Sequence, residues 1–160
     1  MNFAEIERDY VRQRFLPTFE WVTYATPSRI NPLSKPLPQC RVALVGTAGV
    51  HLAGDHPFAV QNRLGDPSYR IIPGDASFDT LRLSHPGYNT RKIRQDINCV
   101  FPLERLRELA QEGVIGSVSP RHVSFMGYIP IAQPLLEQTA PQVASILRED
   151  AVDLALLVPA

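Results

Sequence analysis

The sequence predicts one α/β domain of 160 residues, a Rossmann-like layered fold with a mainly parallel sheet. Two short aliphatic runs, 42–46 and 154–158, have the length and composition of strands that are buried in such a sheet. Helical patterns lie between them, and helices are the usual connections between parallel strands. We therefore expect the two runs to be parallel neighbours. We also expect the sheet to be truncated after 154–158, because chains seldom stop at the sheet edge where ligands bind.

The first 40 residues are predicted to form a helix and an extended arm, and residues 41–160 a sheet-and-helix core. The stretch FAEIERDYVRQRFL, from Phe3 onward, places apolar side chains along one helical stripe, and Pro17 ends this pattern. The region that follows is rich in proline and has no clear period, which favours an extended conformation over the surface. Trp21 and Tyr24 are expected to anchor this arm.

The first core strand is followed by Gly46, Gly49 and Gly54. Glycines at the carboxyl end of a strand permit a tight turn and a close approach of the backbone to a ligand. The spacing is not that of a dinucleotide-binding turn, and the lysine of a phosphate-binding loop is absent. A plain turn from strand to loop is therefore favoured over nucleotide binding.

The middle of the chain predicts further strands at 68–73 and 80–86. No helical pattern separates them, so they are expected to form a hairpin or an irregular excursion. The stretch 114–130 is loop-like, with room for a short strand. Outside these short strands, the sequence predicts little regular structure in 68–86 and 114–130.

Two helices are predicted in the second half of the core. In the first, Pro102 suits the opening turn and Gly113 suits the C-cap. In the second, Thr139 is a suitable N-cap and Pro141 lies just inside the helix. This helix leads directly into the final strand.

The composition excludes several classes of partner. The 16 basic and 16 acidic residues cancel, and they are scattered, so no electrostatic footprint for nucleic acid or an anionic membrane is visible. There is no signal-peptide pattern and no apolar run of roughly 20 residues, so we expect a cytoplasmic protein. Cys40 and Cys99 have no metal-ligand spacing, so neither a disulfide nor a metal site is expected.

The carboxyl edge of the predicted sheet is the expected binding site, because ligands bind there in open α/β sheets. His51 follows the first strand and is a candidate catalytic acid, base or hydrogen-bond donor. Thr47 and Gly49 belong to the same turn and are expected to contact the substrate. No arrangement of residues composes a full catalytic triad by spacing alone.

Polar residues further along the chain are also candidates. Asp96 and Asn98 flank an apolar residue, so in an extended backbone both side chains would face the same side and could hold a polar substrate. The alternative is that they form local capping or turn hydrogen bonds. His122 is a further expected substrate contact, and His85 is a loop histidine with similar surroundings.

Several long motifs of the chain resemble one known family. They are KPLPQCRVALVGTAGVHLAGD, GDPSYRIIP, LRLSHPGYNT, QDINCVFPLERLRELAQEGVIGSVSPRHVSFMGYI and VDLALLVPA. In this order they are similar to the glycine/sarcosine/betaine reductase selenoprotein B family, which includes the selenoprotein subunit of D-proline reductase. The resemblance covers the chain from about residue 30 onward.

The resemblance implies an oxidoreductase that acts on X–H and Y–H to form an X–Y bond with a disulfide as acceptor. Such a subunit reductively cleaves a carbon–nitrogen bond of a small amino acid or betaine, through a selenocysteine or cysteine nucleophile. Electrons would come from a thioredoxin-type dithiol, and partner subunits would take part, some of which carry a pyruvoyl group. No cofactor is expected within this chain.

The resemblance also implies that the reactive residue directly follows the strand at 154–159. Selenocysteine is encoded by UGA, and a gene caller that reads UGA as a stop would end the chain just before the nucleophile. On this interpretation the 160-residue form is inactive. One alternative is a non-catalytic binding or scaffolding paralogue that lacks the nucleophile, and another is an unrelated α/β domain that binds a small molecule.

Overall fold

A computed structural model of the chain describes residues 2–23, 25–29, 31–87, 90–93 and 95–160. The described residues form a layered α/β domain around a mainly parallel sheet, as predicted. In chain order its helices and strands are α1 (Phe3–Arg14), β1 (Arg41–Gly46), β2 (Val50–Leu52), β3 (Tyr69–Pro73), β4 (Leu81–Leu83), α2 (Thr90–Ile93), α3 (Leu103–Gln111), β5 (Ser117–Val118), β6 (Arg121–Phe125), α4 (Ala140–Glu149) and β7 (Leu154–Val158).

Strand β1 lies inside the main sheet and has neighbours on both sides. On one side β7 runs parallel to it, from the pair Val42↔Leu154 to the pair Gly46↔Val158. On the other side β5 pairs with the beginning of β1 and β6 pairs with its end, both in parallel. Strand β3 lies antiparallel on the far side of β6. The prediction that 42–46 and 154–158 are parallel neighbours is therefore confirmed.

Of the two alternatives for 68–73 and 80–86, a hairpin or an irregular excursion, the hairpin is wrong. Strand β3 joins the main sheet beside β6, whereas β4 pairs antiparallel with β2 in a separate two-stranded sheet. A 3-10 turn, Phe78–Thr80, lies between β3 and β4. Strand β2 has only three residues between glycine-rich turns, which is too short for its pattern to be recognised in the sequence.

The stretch 114–130 contains a central strand where mainly a loop was expected. Strand β6 alternates between Val123 and Phe125 on one side and His122 and Ser124 on the other. All four of these side chains are buried. A strand with polar residues at buried positions is hard to recognise in the sequence, because its pattern does not match the apolar run that is typical of a buried parallel strand.

The core lies on both faces of the main sheet. On one face the apolar side chains of β1 pack with α3 and with the small β2–β4 sheet, around the fully buried Phe101. On the other face Val123, Phe125 and Val143 pack together, which places α4 against β6. Removing the ring of a buried phenylalanine typically costs 3–5 kcal/mol, so a Phe101→Ala substitution would remove much of the stability of a domain of this size, which is roughly 5–15 kcal/mol in total.

The two core helices begin and end close to the predicted positions. Gly113 has a φ of 72°, as expected for a residue just past the end of α3. Pro141 lies in the first turn of α4, as predicted. Thr139 stands at the N-cap position of α4 but its side chain makes no capping bond, because a π-helical turn at Leu135–Thr139 precedes α4 and gives Thr139 a helical backbone. The helical conformation therefore begins several residues earlier than the start that Pro141 suggests.

In the described residues before β1, the chain forms α1 and then an arm with a short 3-10 turn at Leu37–Gln39. The indole N–H of Trp21 donates a hydrogen bond of 2.7 Å to the carbonyl of Ala4, which ties the arm back to α1. Tyr24 lies outside the described residues. None of the helices in the described ranges is long and apolar enough to cross a membrane.

Candidate functional site

The carboxyl ends of β1, β6 and β7 meet at one edge of the main sheet. The backbone N–H of Thr47, just past β1, donates to the carbonyl of Val158 at 3.1 Å. The hydroxyl oxygen of Thr47 accepts a hydrogen bond of 2.9 Å from the backbone N–H of Ala160. Thr47 therefore holds the chain in place as it leaves β7, at the sheet edge where ligands bind in α/β proteins.

Gly49 connects this edge to the small sheet. Its φ is 71°, and a methyl group at this position would lie 2.0 Å from the carbonyl oxygen of Ser84. Its N–H donates to the carbonyl of Phe125 at 2.8 Å, and its carbonyl accepts from the N–H of Ser84 at 2.9 Å. Both backbone groups of Gly49 are thus engaged within the protein, and only glycine fits the position.

His85 lies at this edge, a few residues after β4. Its Nδ1 accepts a hydrogen bond of 2.9 Å from the backbone N–H of Gly87, so in the neutral ring Nε2 carries the proton. A methyl group on Gly127, which follows β6, would lie 3.5 Å from this Nε2. Burial lowers the pKa of His85 to about 4. At neutral pH the imidazole is therefore uncharged and Nε2 is a hydrogen-bond donor.

His51 is buried in β2 behind this segment. Its Nδ1 lies 2.8 Å from the carbonyl oxygen of Leu52, which can only accept, so Nδ1 carries the proton of the neutral ring. Its Nε2 lies 2.9 Å from the hydroxyl of Ser84 and accepts from it. Both ring nitrogens therefore have protein partners, and the contact with Ser84 orients the residue immediately before His85.

Two adjoining clefts open at His85. One has a volume of about 250 Å³ and reaches the end of β7. The other has a volume of about 470 Å³ and extends toward the loop before β3. The two share four lining residues: Phe15, His85, Pro86 and Tyr128. The first cleft is completed by Tyr10, Val11, Gly87, Gly127 and Ala160, and the second by Arg14, Val60, Gln61, Asn62 and Arg63.

His122 lies inside the sheet, with no exposed surface. Its Nδ1 accepts a hydrogen bond of 2.8 Å from the backbone N–H of Leu44. Leu44 falls between the part of β1 that pairs with β5 and the part that pairs with β6, so the imidazole occupies a gap in the ladder of backbone hydrogen bonds. Burial, and secondarily the charge of Arg107, lowers the pKa of His122 to about 4.

Asp96 and Asn98 do not share one side of an extended segment, because Asn98 belongs to a 3-10 turn at Ile97–Cys99. The carboxylate of Asp96 accepts from the backbone N–H of Asn98 at 2.9 Å. The side-chain oxygen of Asn98 accepts from the backbone N–H of Glu104, in the first turn of α3, at 3.2 Å. These are the local capping bonds of the alternative interpretation, and both residues line a separate cleft.

The structure therefore places only some of the predicted site residues together. Thr47 and Gly49 lie at the sheet edge, His51 supports it from behind, and His122 and the Asp96–Asn98 pair lie elsewhere. Cys40 and Cys99 are both free thiols. Within the described ranges no three His, Cys, Asp or Glu side chains are grouped as metal ligands would be.

Residues 6–160 match the family described as glycine/sarcosine/betaine reductase selenoprotein B. The chain belongs to this family. It is 41% identical over 137 residues to the D-proline reductase subunit gamma of Acetoanaerobium sticklandii. It is 33% identical over 102 residues to the sarcosine reductase complex component B subunit beta of Peptoclostridium acidaminophilum. It is 29% identical over 99 residues to the glycine reductase complex component B subunit gamma of Carboxydothermus hydrogenoformans.

The coverage differs among these relatives of the selenoprotein B family. The match to the D-proline reductase subunit covers 86% of this chain and 55% of that protein. The matches to the sarcosine and glycine reductase components cover 61% of this chain and 23% of each protein. No solved structure matches the chain significantly. The chain therefore spans about half the length of the D-proline reductase subunit and less of the other two.

Sequence reasoning did not select the residues that line the two clefts. His85 was considered only as one loop histidine among several, because its proximity to Gly127 depends on the pairing of β2 with β4. Arg63 and Tyr128 carry no local signal, since each lies in an irregular segment. The position of His85 near the end of the strand predicted at 80–86 was the one pattern that could have marked it.

Proposed function

We propose that this chain forms part of a reductase subunit that cleaves the carbon–nitrogen bond of a small amino acid or betaine. Membership of the selenoprotein B family supports the reaction class, and the relatives are named for D-proline, sarcosine and glycine reduction. Because the chain spans 55% of the D-proline reductase subunit, the activity is proposed for the whole subunit.

The observation that carries the proposal is the position of Ala160. Its backbone N–H is bonded to Thr47, and it lines the same cleft as His85 and Gly127. We place a selenocysteine or cysteine directly after it, as the family resemblance implies. A nucleophile at this position would lie at the wall of the smaller cleft. That cleft adjoins the larger one, whose volume of about 470 Å³ is of the size that binds small molecules.

The reaction balances with a dithiol as the reductant. The selenolate or thiolate attacks the carbon that carries the nitrogen, so a carbon–selenium or carbon–sulfur bond forms as the carbon–nitrogen bond breaks. The nitrogen takes up a proton and leaves as an amine, except in D-proline, where the ring opens and the amine stays attached to the product. The dithiol then gives up two electrons and two protons and becomes a disulfide, which restores the nucleophile and places a hydrogen on the carbon. We propose a thioredoxin-type protein as its source.

His85 would act as a hydrogen-bond donor to the nucleophile. Because its pKa is lowered to about 4 by burial, it stays uncharged at neutral pH and its Nε2 carries a proton. A charge-assisted hydrogen bond from such a donor stabilises an anion. His51 would support this function by positioning Ser84, the residue before His85.

The proposed enzyme works with partner subunits. The sarcosine and glycine reductase relatives are named as components of complexes. In the proposal, a partner that carries a pyruvoyl group takes part in holding the amine end of the substrate. A paralogue without the nucleophile would bind the substrate in the same cleft but would release no amine.

The test is carbon–nitrogen cleavage by the full-length subunit in complex with its partners, supplied with a dithiol. It is followed as amine release from sarcosine, betaine or glycine and as ring opening of D-proline, each substrate in turn. At least one substrate should be reduced, with one disulfide formed for each bond cleaved. His85→Ala should lower turnover by about tenfold or more, whereas His56→Ala, an exposed histidine outside both clefts, should leave it unchanged. Binding without carbon–nitrogen cleavage of any of the four would contradict the proposed function.

A further inference from the structure

We propose that the larger of the two clefts at His85 binds the carboxylate group of the substrate, and that Arg63 and Arg14 are the residues that recognise it. The substrate class rests on the proposed function. Glycine, sarcosine and D-proline, which appear in the names of the relatives, all carry a carboxylate on the carbon that loses its amine. A site for this group would therefore serve every member of the class.

The larger cleft concentrates positive charge. It is lined by both arginines, and none of the described residues that line it is acidic. Four other arginines, Arg8, Arg12, Arg105 and Arg121, do form ion pairs; Arg121, for example, lies 2.7 Å from the carboxylate of Asp150. Neither Arg14 nor Arg63 lies within ion-pairing distance of an acidic side chain of the described residues. An uncompensated pair of guanidinium groups in one cleft favours an anion.

The backbone that carries Arg63 is held by a closed turn. The N–H of Gly65 donates to the carbonyl of Asn62 at 3.0 Å. The side chain of Asn62 bonds the carbonyl of Gly65 at 2.9 Å and the N–H of Leu64 at 3.0 Å. The hydroxyl of Tyr128 donates to the carbonyl of Arg63 at 3.1 Å. The turn therefore presents Arg63 from a fixed point of the cleft wall.

The neighbouring carboxylate is not ion-paired with Arg63. Asp66 accepts hydrogen bonds from the N–H groups of Ala59 and Ser68 at 2.9 and 3.0 Å. It also accepts from the hydroxyl of Ser68. Together these bonds lower the pKa of Asp66 despite its partial burial. All three of these hydrogen bonds to Asp66 come from Ala59 and Ser68, within its own loop.

Arg14 enters the cleft from the end of α1. Its guanidinium carbon lies 5.6 Å from the centre of the Tyr10 ring, within the range of a cation–π contact. The ring of Phe15 lies 5.5 Å from that of Tyr128, measured between centres. The aromatic rings form the wall that the two clefts share, so the carbon skeleton of a substrate would pack against them.

The arrangement fits the chemistry because the carboxylate of the substrate must lie beside the nucleophile. The carbon that is attacked is bonded directly to the carboxylate in these amino acids. The arginine cleft and the cleft that contains Ala160 share His85 and Tyr128, so one small molecule can contact both. Guanidinium groups bind carboxylates through two parallel hydrogen bonds, which would orient the carbon toward the end of β7.

The test is equilibrium binding to the reductase complex with the reductant omitted, so that no turnover occurs. The probes are D-proline, sarcosine and glycine, their neutral primary amides, and inorganic phosphate. Arg63→Met and Arg14→Met should each weaken binding of the acids by about tenfold or more, with partial recovery in Arg63→Lys. Arg105→Met, which removes an exposed arginine of α3 that pairs with Glu108, is the matched control and should leave binding unchanged.

The amides decide between recognition of the carboxylate and general packing. The wild-type complex should bind each acid at least about tenfold more tightly than its amide, and the arginine variants should lose this preference. Equal binding of acids and amides, unchanged binding in both methionine variants, or binding of phosphate in place of the acids would overturn the inference. Arginine-dependent binding of the acids, with no carbon–nitrogen cleavage once the dithiol is supplied, would instead contradict the proposed function alone.

Discussion

His122 makes the stability of the domain depend on pH, because the folded protein excludes its charged form. The imidazole is fully buried, accepts from the N–H of Leu44, and has its pKa lowered from 6.5 to about 4 by burial. As the pH falls below 6.5 the unfolded chain takes up a proton that the folded protein does not bind. The stabilising contribution is therefore complete above 6.5 and is lost as the pH falls toward 4.

The size of the effect follows from the pKa difference. Each pH unit below 6.5 costs about 1.4 kcal/mol, so lowering the pH from 7.5 to 5 should reduce the free energy of unfolding by about 2 kcal/mol through His122 alone. His85 adds a smaller effect in the same direction, since its pKa is also lowered and it is only half-buried.

The assay is urea unfolding of the wild type, His122→Gln and His85→Gln at pH 7.5 and pH 5. Glutamine can still accept from Leu44 but does not titrate. His122→Gln should be less stable than the wild type at pH 7.5, because its shape fits the buried site less well, and it should lose about 2 kcal/mol less on acidification. The same loss of stability in His122→Gln as in the wild type would refute this reasoning.

Four further predictions follow from single contacts. Gly127→Ala should destabilise the protein by about 1–3 kcal/mol, because its φ is 89° and the methyl would lie 2.6 Å from the carbonyl of Thr47; Gly54→Ala, where the added methyl meets no neighbour, should change little in the same urea titration. Thr47→Val should lower turnover of the full-length enzyme by about tenfold while Thr47→Ser retains it, because only the hydroxyl holds Ala160; equal rates would contradict this function. Asn98→Ala should cost about 1 kcal/mol by uncapping α3 and should change the Michaelis constant little; a tenfold fall in turnover at unchanged stability would favour substrate contact. Leu157→Ser should reduce binding of a hydrophobic dye with less than about 0.5 kcal/mol change in stability, because this side chain of β7 is 70% exposed.

The sequence was informative where a segment carries a recognisable pattern of its own. The pairing of β1 with β7 could be predicted because both are aliphatic runs of strand length, and the end of α3 because Gly113 takes a left-handed conformation. Strand β6 could not, because its buried His122 and Ser124 are polar and their role depends on Phe101 and β1 packing around them. Burial of a polar group is decided by tertiary structure, which the pattern of one segment does not contain.

The candidate site shows the same division. The carboxyl edge of the sheet could be predicted from the parallel strands, and Thr47 with it. The role of His85 depends on β4 pairing with β2 rather than with β3, and this choice is not visible in two short strands of similar composition. The arginine cleft brings Arg14 and Arg63 together from segments far apart in sequence, so no spacing could have indicated it.

The central proposal is that a reactive residue follows β7 at the edge formed by Thr47, His85 and Gly127. The most direct test is to read the coding sequence after codon 160 and to identify the encoded residue by mass spectrometry of the protein from its own cells. The account predicts selenocysteine, encoded by UGA within an open frame, or cysteine at this position. Any other amino acid there, or a stop codon with no coding frame behind it, would contradict the account.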